Sequence, residues 1–242
     1  MSTNCSNCPL RKLDAFTDMS GPEIAFMEKF KTGELEAQPG TEIMAQGQSS
    51  THLFTCLTGM GLRYKTLEDG RRQVIGFVLP GDFIGLQAGV MSEMEHSVEA
   101  STSMRLCTFN RSDLWTLFSS HPTRAYDLTR IAALEEIFLG EALAVVGQLD
   151  ALAKVSWALH RFYTRLDSVN MVRDGHARLP YRQQDLADAL GLSLVHTNKT
   201  LARLREDQIA TWSDEKLTIH DMTRLTRLAH AESDGYAKRP LI

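Results

Sequence analysis

The chain has 242 residues, 43% hydrophobic and 23% charged, with 16 Gly and 7 Pro, so nothing in its make-up forces disorder, a collagen repeat or a disulfide scaffold. A net charge of −4 gives no chain-wide argument for nucleic acid, although basic residues gathered on one face would suffice for binding it. Met1–Pro9 lacks the basic start and apolar core of a signal peptide, no run reaches the length of a membrane span, and four cysteines do not make a disulfide framework; a cytoplasmic protein with no membrane segment is expected.

The first elements in the chain are an N-terminal arm, 1–30, carrying the pair Cys5-Ser-Asn-Cys8, and then a strand-rich region. From about Gly33 to Leu117, short apolar runs such as His52–Leu57, Leu62–Leu67 and Gln73–Leu79 alternate with glycine-bearing turns. Asp69-Gly70 lies between two of these runs and signals a hairpin. Many short strands at this spacing indicate a β-sandwich, jelly roll or barrel.

The period changes after Arg124. Leu128, Ile131, Leu134, Phe138, Ala142, Val145 and Leu149 recur in steps of three and four along a helix of roughly seven turns, while Glu135, Glu136 and Glu141 fall off this stripe. Pairing of two copies along the stripe would bury it, as would packing as a core helix within one domain; the position between two domains favours a homodimer. Further helices are expected at Ala151–Leu166, Arg182–Leu190 and Ser193–Glu206. Val169–Pro180 reads as a loop with one strand at most, Ile209–Trp212 and Leu217–His220 as a short hairpin, and the tail from Met222 as a helical start followed by a loose end.

The stretch Arg182–Arg205 is the most informative. Leu186, Ala187 and Leu190 form the apolar face of a short helix, Gly191 permits the left-handed residue that ends it, and Ser193 suits the cap of the next helix. In that second helix Thr197, Leu201 and Leu204 face inward, whereas His196, Asn198, Lys199, Thr200 and Arg203 face outward, and no acidic residue occurs from Ser193 to Arg205. Two helices joined by a short Gly-containing turn are the helix-turn-helix layout, in which the second helix enters the major groove of double-stranded DNA. Asn198 suits adenine and Lys199 suits guanine or phosphate; Arg182, Gln183, Arg203 and Arg205 read as backbone contacts.

With this motif, the continuation Leu-Arg-Glu-Asp-Gln-Ile209 and the segment Leu79-Pro-Gly-Asp-Phe-Ile-Gly85, the chain resembles the Crp/Fnr family of bacterial regulators over nearly its whole length. The resemblance implies an α+β chain: the arm (1–30), a β jelly roll of the cyclic-nucleotide-binding type (31–120), a dimerisation helix (121–149), a winged helix-turn-helix (150–222) and a tail (223–242). It further implies a homodimer on a two-fold-related promoter site, recruiting or obstructing RNA polymerase, with no catalysis. The DNA-facing set is then Arg182, Gln183, Ser193, Val195, His196, Asn198, Lys199 and Arg203, and the dimer set Leu128, Ile131, Leu134, Phe138, Ala142 and Val145. Relatives often carry Glu where Val195 stands and Arg where Lys199 stands, so the half-site need not be the usual one; Val195 would suit a thymine methyl.

Two signals are weighed against this resemblance. Cyclic AMP would need a Glu and an Arg-Ser pair, and Leu86 and His96-Ser97 occupy those places, which argues against it. Members of the oxygen-sensing branch hold a 4Fe–4S cluster with four cysteines; Cys5, Cys8 and Cys107 align with three and Asp14 with the fourth. A cluster or other metal, thiol redox chemistry, and no cofactor all stay open. Readings from other classes are a cyclic-nucleotide- or small-ligand-responsive regulator, a regulatory subunit without DNA binding, and a jelly-roll enzyme, the last lacking the His-rich metal constellation it needs.

Overall fold

The computed structural model describes residues 2–231 and 238–242. Contacts divide the chain into two units, Met1–Glu135 with Lys238–Ile242, and Glu136–Ala237.

In the first unit, two single turns of 3-10 helix, Cys5–Asn7 and Leu10–Lys12, precede α1 (Gly21–Phe30). A capping box starts α1: the Ser20 N–H donates to the Glu23 carboxylate at 2.8 Å. Eight strands follow, β1 (Lys31–Ala37), β2 (Glu42–Met44), β3 (His52–Thr58), β4 (Gly61–Thr66), β5 (Arg72–Val78), β6 (Phe83–Ile84), β7 (Ser97–Ala100) and β8 (Met104–Asn110), with α2 (Leu86–Met91) between β6 and β7. They form two antiparallel sheets ordered β1-β8-β3-β6 and β2-β7-β4-β5. Phe54, Cys56, Ile84 and Leu106 from the first sheet pack with Met44, Val78, Val98 and Ala100 from the second, the filled interior of a jelly roll. The Asp69-Gly70 turn joins β4 to β5, with Gly70 at φ 82° and the Leu67 N–H donating to Arg71 O at 2.8 Å.

Behind β3 and β8 a second cluster gathers Phe30, Phe109, Leu117 of α3 (Leu114–Ser120) and Leu128 of α4 (Pro122–Gln148). This cluster takes part of the expected dimer set into the chain's own core. Leu128 is buried within its own chain, Ile131 packs on the same cluster, and Val145 is also buried. Of that predicted set, Leu134 is among the large apolar residues left exposed. Leu128 and Ile131 face the chain's own core, whereas Tyr126, Leu134, Ile137, Leu139 and Leu143 of α4 are exposed.

In the second unit, α5 (Ala151–Ser168) starts at Asp150, whose side chain accepts from the Ala153 N–H. Phe138 of α4 stacks on Trp157 of α5 at 6.3 Å, with the Arg161 guanidinium over the Phe138 ring. Then come β9 (Val172–Arg173), β10 (His176–Arg178), α6 (Gln183–Leu190), α7 (Leu194–Glu206), β11 (Ala210–Ser213), β12 (Lys216–Ile219) and α8 (Met222–Leu228). The sheet order is β11-β12-β10-β9, so Val169–Pro180 holds two strands where at most one was expected. They form because β10 finds a partner distant in sequence, His176 lying opposite Thr218. The expected hairpin is present, with Asp214 and Glu215 both at positive φ, the backbone that a two-residue turn matching strand twist demands.

Of the tail expected to be loose, residues 232–237 lie outside the described residues, whereas Lys238–Ile242 packs in the first unit with Pro240, Leu241 and Ile242 buried, a correction for that segment.

Candidate nucleic-acid interface and sensor site

The helix-turn-helix is assembled by local rules. At the end of α6, Gly191 takes φ 62° and its N–H, with that of Leu192, bonds Ala187 O, closing the turn expected of a left-handed terminal glycine. Ser193 caps α7 by accepting the His196 N–H at 3.2 Å. Thr197, Thr200, Leu201 and Leu204 are buried beneath α7, against a core that includes Leu159, Leu186, Ala187 and Leu190. Thr200, expected to face outward, instead faces inward and donates its hydroxyl to His196 O at 2.9 Å.

The exposed residues of α7 are Leu194, Val195, His196, Asn198, Lys199, Arg203, Arg205 and, at its last position, Glu206. At 100° per residue, Val195 and Lys199 share the middle of this face, His196 and Arg203 lie on one flank, and Asn198 and Arg205 on the other. A helix lying in a groove presents its middle to base edges and its flanks to the two phosphate walls. This separates Asn198 from Lys199, which the sequence had paired as base readers.

At the start of α6, Gln183 is half-buried. The Arg182 guanidinium is committed to the buried Asp185 carboxylate through Nε at 3.1 Å and Nη2 at 2.7 Å. Its head stays exposed, so a phosphate would meet a cation already oriented by a carboxylate.

A different chemistry collects around β1. Lys31 Nζ donates to Glu34 Oε1 and to Thr3 O, both at 2.6 Å; the Thr3 N–H donates to Glu34 at 2.7 Å and Arg105 Nη2 to its other oxygen at 2.6 Å. Burial works to raise the Glu34 pKa, but these hydrogen bonds outweigh it and hold the carboxyl down at about 2. Cys107 sits opposite Glu34 in the β1–β8 ladder, and both Cys5 and Cys107 pack on the Phe30–Phe109 cluster. Burial pushes the Cys5 thiol up to about 11 and raises that of Cys107, against the pull of Lys31 on both, while the thiols oppose one another's ionisation.

The three cysteines therefore share one patch and Asp14 is exposed, while among the described residues no three His, Cys, Asp or Glu side chains are gathered closely enough to hold a metal ion.

Glu34 also fixes an acid response. Its folded pKa lies below the ordinary 4.5, so its contribution is complete above about 4.5 and is lost as pH falls from there toward 2. Glu34→Gln is expected to abolish that loss and to speed amide exchange at Thr3. Identical acid transitions and exchange in parent and variant would remove the claim.

Sequence reasoning missed Arg63. A bulge in β4 between Arg63 and Tyr64 turns the guanidinium inward. Arg63 Nη2 donates to Phe83 O at 2.9 Å and Nη1 to Glu135 of α4 at 2.8 Å. Beside it, burial and then the Arg63 charge lower the His96 pKa to about 4, so this imidazole is neutral at pH 7. The only sign in the sequence was a cation in a strand that also carries Lys65, which a hairpin surface explains equally well.

Residues 34–121 match the cyclic nucleotide-binding domain and residues 153–228 the Crp-like helix-turn-helix domain. The nitrogen fixation regulation protein FixK of Azorhizobium caulinodans is 30% identical over 78% of this chain and 75% of its own length. The chain belongs to the Crp/Fnr family of transcription regulators. Within that family, the transcriptional activator protein FnrL of Cereibacter sphaeroides is 25% identical over 96% of this chain and 94% of its own. The solved FixK2 structure from Bradyrhizobium japonicum superposes with a TM-score of 0.73 at 25% identity, over 83% of this chain and 98% of that one.

In the jelly roll of this Crp/Fnr regulator, Leu86 opens α2, His96 is neutral at pH 7, and the nearby guanidinium of Arg63 is committed to Phe83 O and Glu135. Among the described residues no helix is long and apolar enough to cross a membrane.

Proposed function

We propose that this Crp/Fnr regulator binds a two-fold-related promoter site as a homodimer, with Val195 and Lys199 facing base edges and His196, Asn198, Arg182, Gln183 and Arg203 facing the backbone. The observation that carries this reading is the capped α6–Gly191–α7 corner, whose outward face bears cations and no acid from Ser193 to Arg205. Ser193 serves the site by fixing the first turn of α7. The output is transcription control, activating as in the FnrL relative, through contact with RNA polymerase in the cytoplasm.

The dimer face we assign is the open side of α4: Tyr126, Ala133, Ile137, Gly140, Ala144 and Gly147, spaced 7, 4, 3, 4 and 3 residues apart, the repeat of a coiled-coil seam. Tyr126 and Ile137 are exposed, and a Cβ added at Gly140 or Gly147 would meet nothing within 4 Å, so a second helix has room to approach closely.

A gel-shift titration against promoter DNA at stated salt tests the regulator itself. Tight binding to specific sites that weakens steeply with salt supports it; binding no tighter to promoter than to random DNA overturns it.

The signal is proposed to act on the first unit. For a cluster held by Cys5, Cys8, Cys107 and Asp14, the exposed Asp14 predicts that anaerobic reconstitution with iron and sulfide leaves no bound iron after desalting. Stoichiometric iron with a visible charge-transfer band would reverse that expectation.

A further inference from the structure

The chain leaves the first unit along α4 and returns to it at Lys238, after the whole DNA-binding unit. The returning segment, Lys238–Ile242, meets a built site. Arg239 forms a parallel bridge with Phe16: its N–H donates to Ala15 O at 2.8 Å and its O accepts the Thr17 N–H at 2.9 Å. Its guanidinium lies over the Phe16 ring and bonds the buried Asp82 carboxylate at 2.9 Å. Arg130 of α4 donates to Lys238 O, Thr55 of β3 donates to Ile242 O, and the Ile242 side chain joins the Phe30–Phe109 cluster. Asp82 and Gly81 of the Leu79–Gly85 motif form the floor; a Cβ on Gly81 would strike the Phe16 ring at 2.1 Å.

We propose that Lys238–Ile242 is a detachable strap. Docked, it ties the N-terminal arm and α4 to the jelly roll and closes a covalent loop through the DNA-binding unit. The energetics make it exchangeable: three buried apolar side chains (Pro240, Leu241 and Ile242), an ion pair and a few hydrogen bonds stand against the backbone entropy of five residues, opposing terms of similar size. The arm that supplies the strand partner, Ala15–Thr17, is continuous with the turn bearing Cys5 and Cys8, so a signal that shifts the arm removes the strap's anchor. Release opens this loop and removes the restraint it places on the DNA-binding unit. The regulatory half of this inference rests on the regulator reading above; the docking half does not.

The test uses the full chain carrying Arg239→Asp and Leu241→Asp, with Arg239→Ala alone as the milder variant should the double one fail to fold. Amide exchange at Thr17 is expected to quicken at least tenfold. Adding the synthetic peptide Lys-Arg-Pro-Leu-Ile is expected to restore it, because the peptide refills the site. Affinity for promoter DNA is expected to shift at least threefold and to stay shifted with peptide present, because the peptide does not close the loop. Unchanged exchange at Thr17 overturns the docking; quickened exchange with unchanged DNA affinity overturns the regulation. If neither parent nor variant prefers promoter DNA, the regulator reading fails while the exchange result still decides the docking.

Discussion

Replacing Ile137 by Asp is expected to leave a folded monomer whose affinity for a two-fold-related site falls by a factor of roughly 100 to 10,000, the gain that joining two binding modules supplies. Ile137 is 58% exposed in the single chain, so the substitution costs little within the protomer. In the paired seam the new carboxylate would face its own copy across a helix contact lined by Gly140 and Ala144, desolvated and without a cation. Light scattering reads the mass and a gel shift the affinity; a dimer of unaltered affinity would sink the seam. Leu128→Ala is the contrasting variant. That side chain is 1% exposed and packed among Phe30, Phe109 and Leu117, so its truncation is expected to cost about 2–5 kcal/mol of stability, with the dimer seam intact.

Lys199→Ala carries the second large effect. An ammonium at the middle of α7, reaching a guanine edge, is worth about 1–3 kcal/mol of discrimination per half-site, and two copies double it. The expected result is a site preference relaxed at one symmetric base pair, read by selection from a randomised site. If Lys199 meets phosphate instead, affinity drops evenly across sequences and the salt slope falls by about 1 per contact, which would refute the base-reading role. Val195→Glu is the matching gain: a carboxylate on the same central line is expected to move the preference toward cytosine, and an unchanged selected site would count against that placement.

The legible parts of this protein are those governed by neighbours in sequence. Gly191 and Ser193 announce the corner between α6 and α7 because a left-handed terminal residue and an N-cap are local demands, met within five residues. The turn at Asp69-Gly70 and the alternation of β3, β4 and β5 are legible for the same reason. The α4 helix was legible as a helix, but the face we propose for the dimer was not. Large apolar residues mark the buried stripe, whichever core buries them, whereas Ala133, Gly140, Ala144 and Gly147 carry little hydrophobic signal of their own. Their significance appears only when the other face is seen to be occupied by Phe109 and Trp157. Asp14 aligned by spacing with a ligand position, yet spacing does not say where a side chain points, and it points to solvent.

By itself, then, the sequence determined the change from a strand-rich to a helical region, the helix-turn-helix corner, the acid-free run from Ser193 to Arg205 and the membership of the Crp/Fnr family. Each of these depends on residue type, period or cap chemistry within a short window. Only the tertiary structure decided which side of α4 is free, that Thr200 faces inward, that Arg63 reaches Glu135 across 72 positions, and that Arg239 returns to Asp82 across 157. Those contacts are set by how sheets and helices pack, and a linear pattern of apolar and charged residues does not encode which distant charge will be brought beside which.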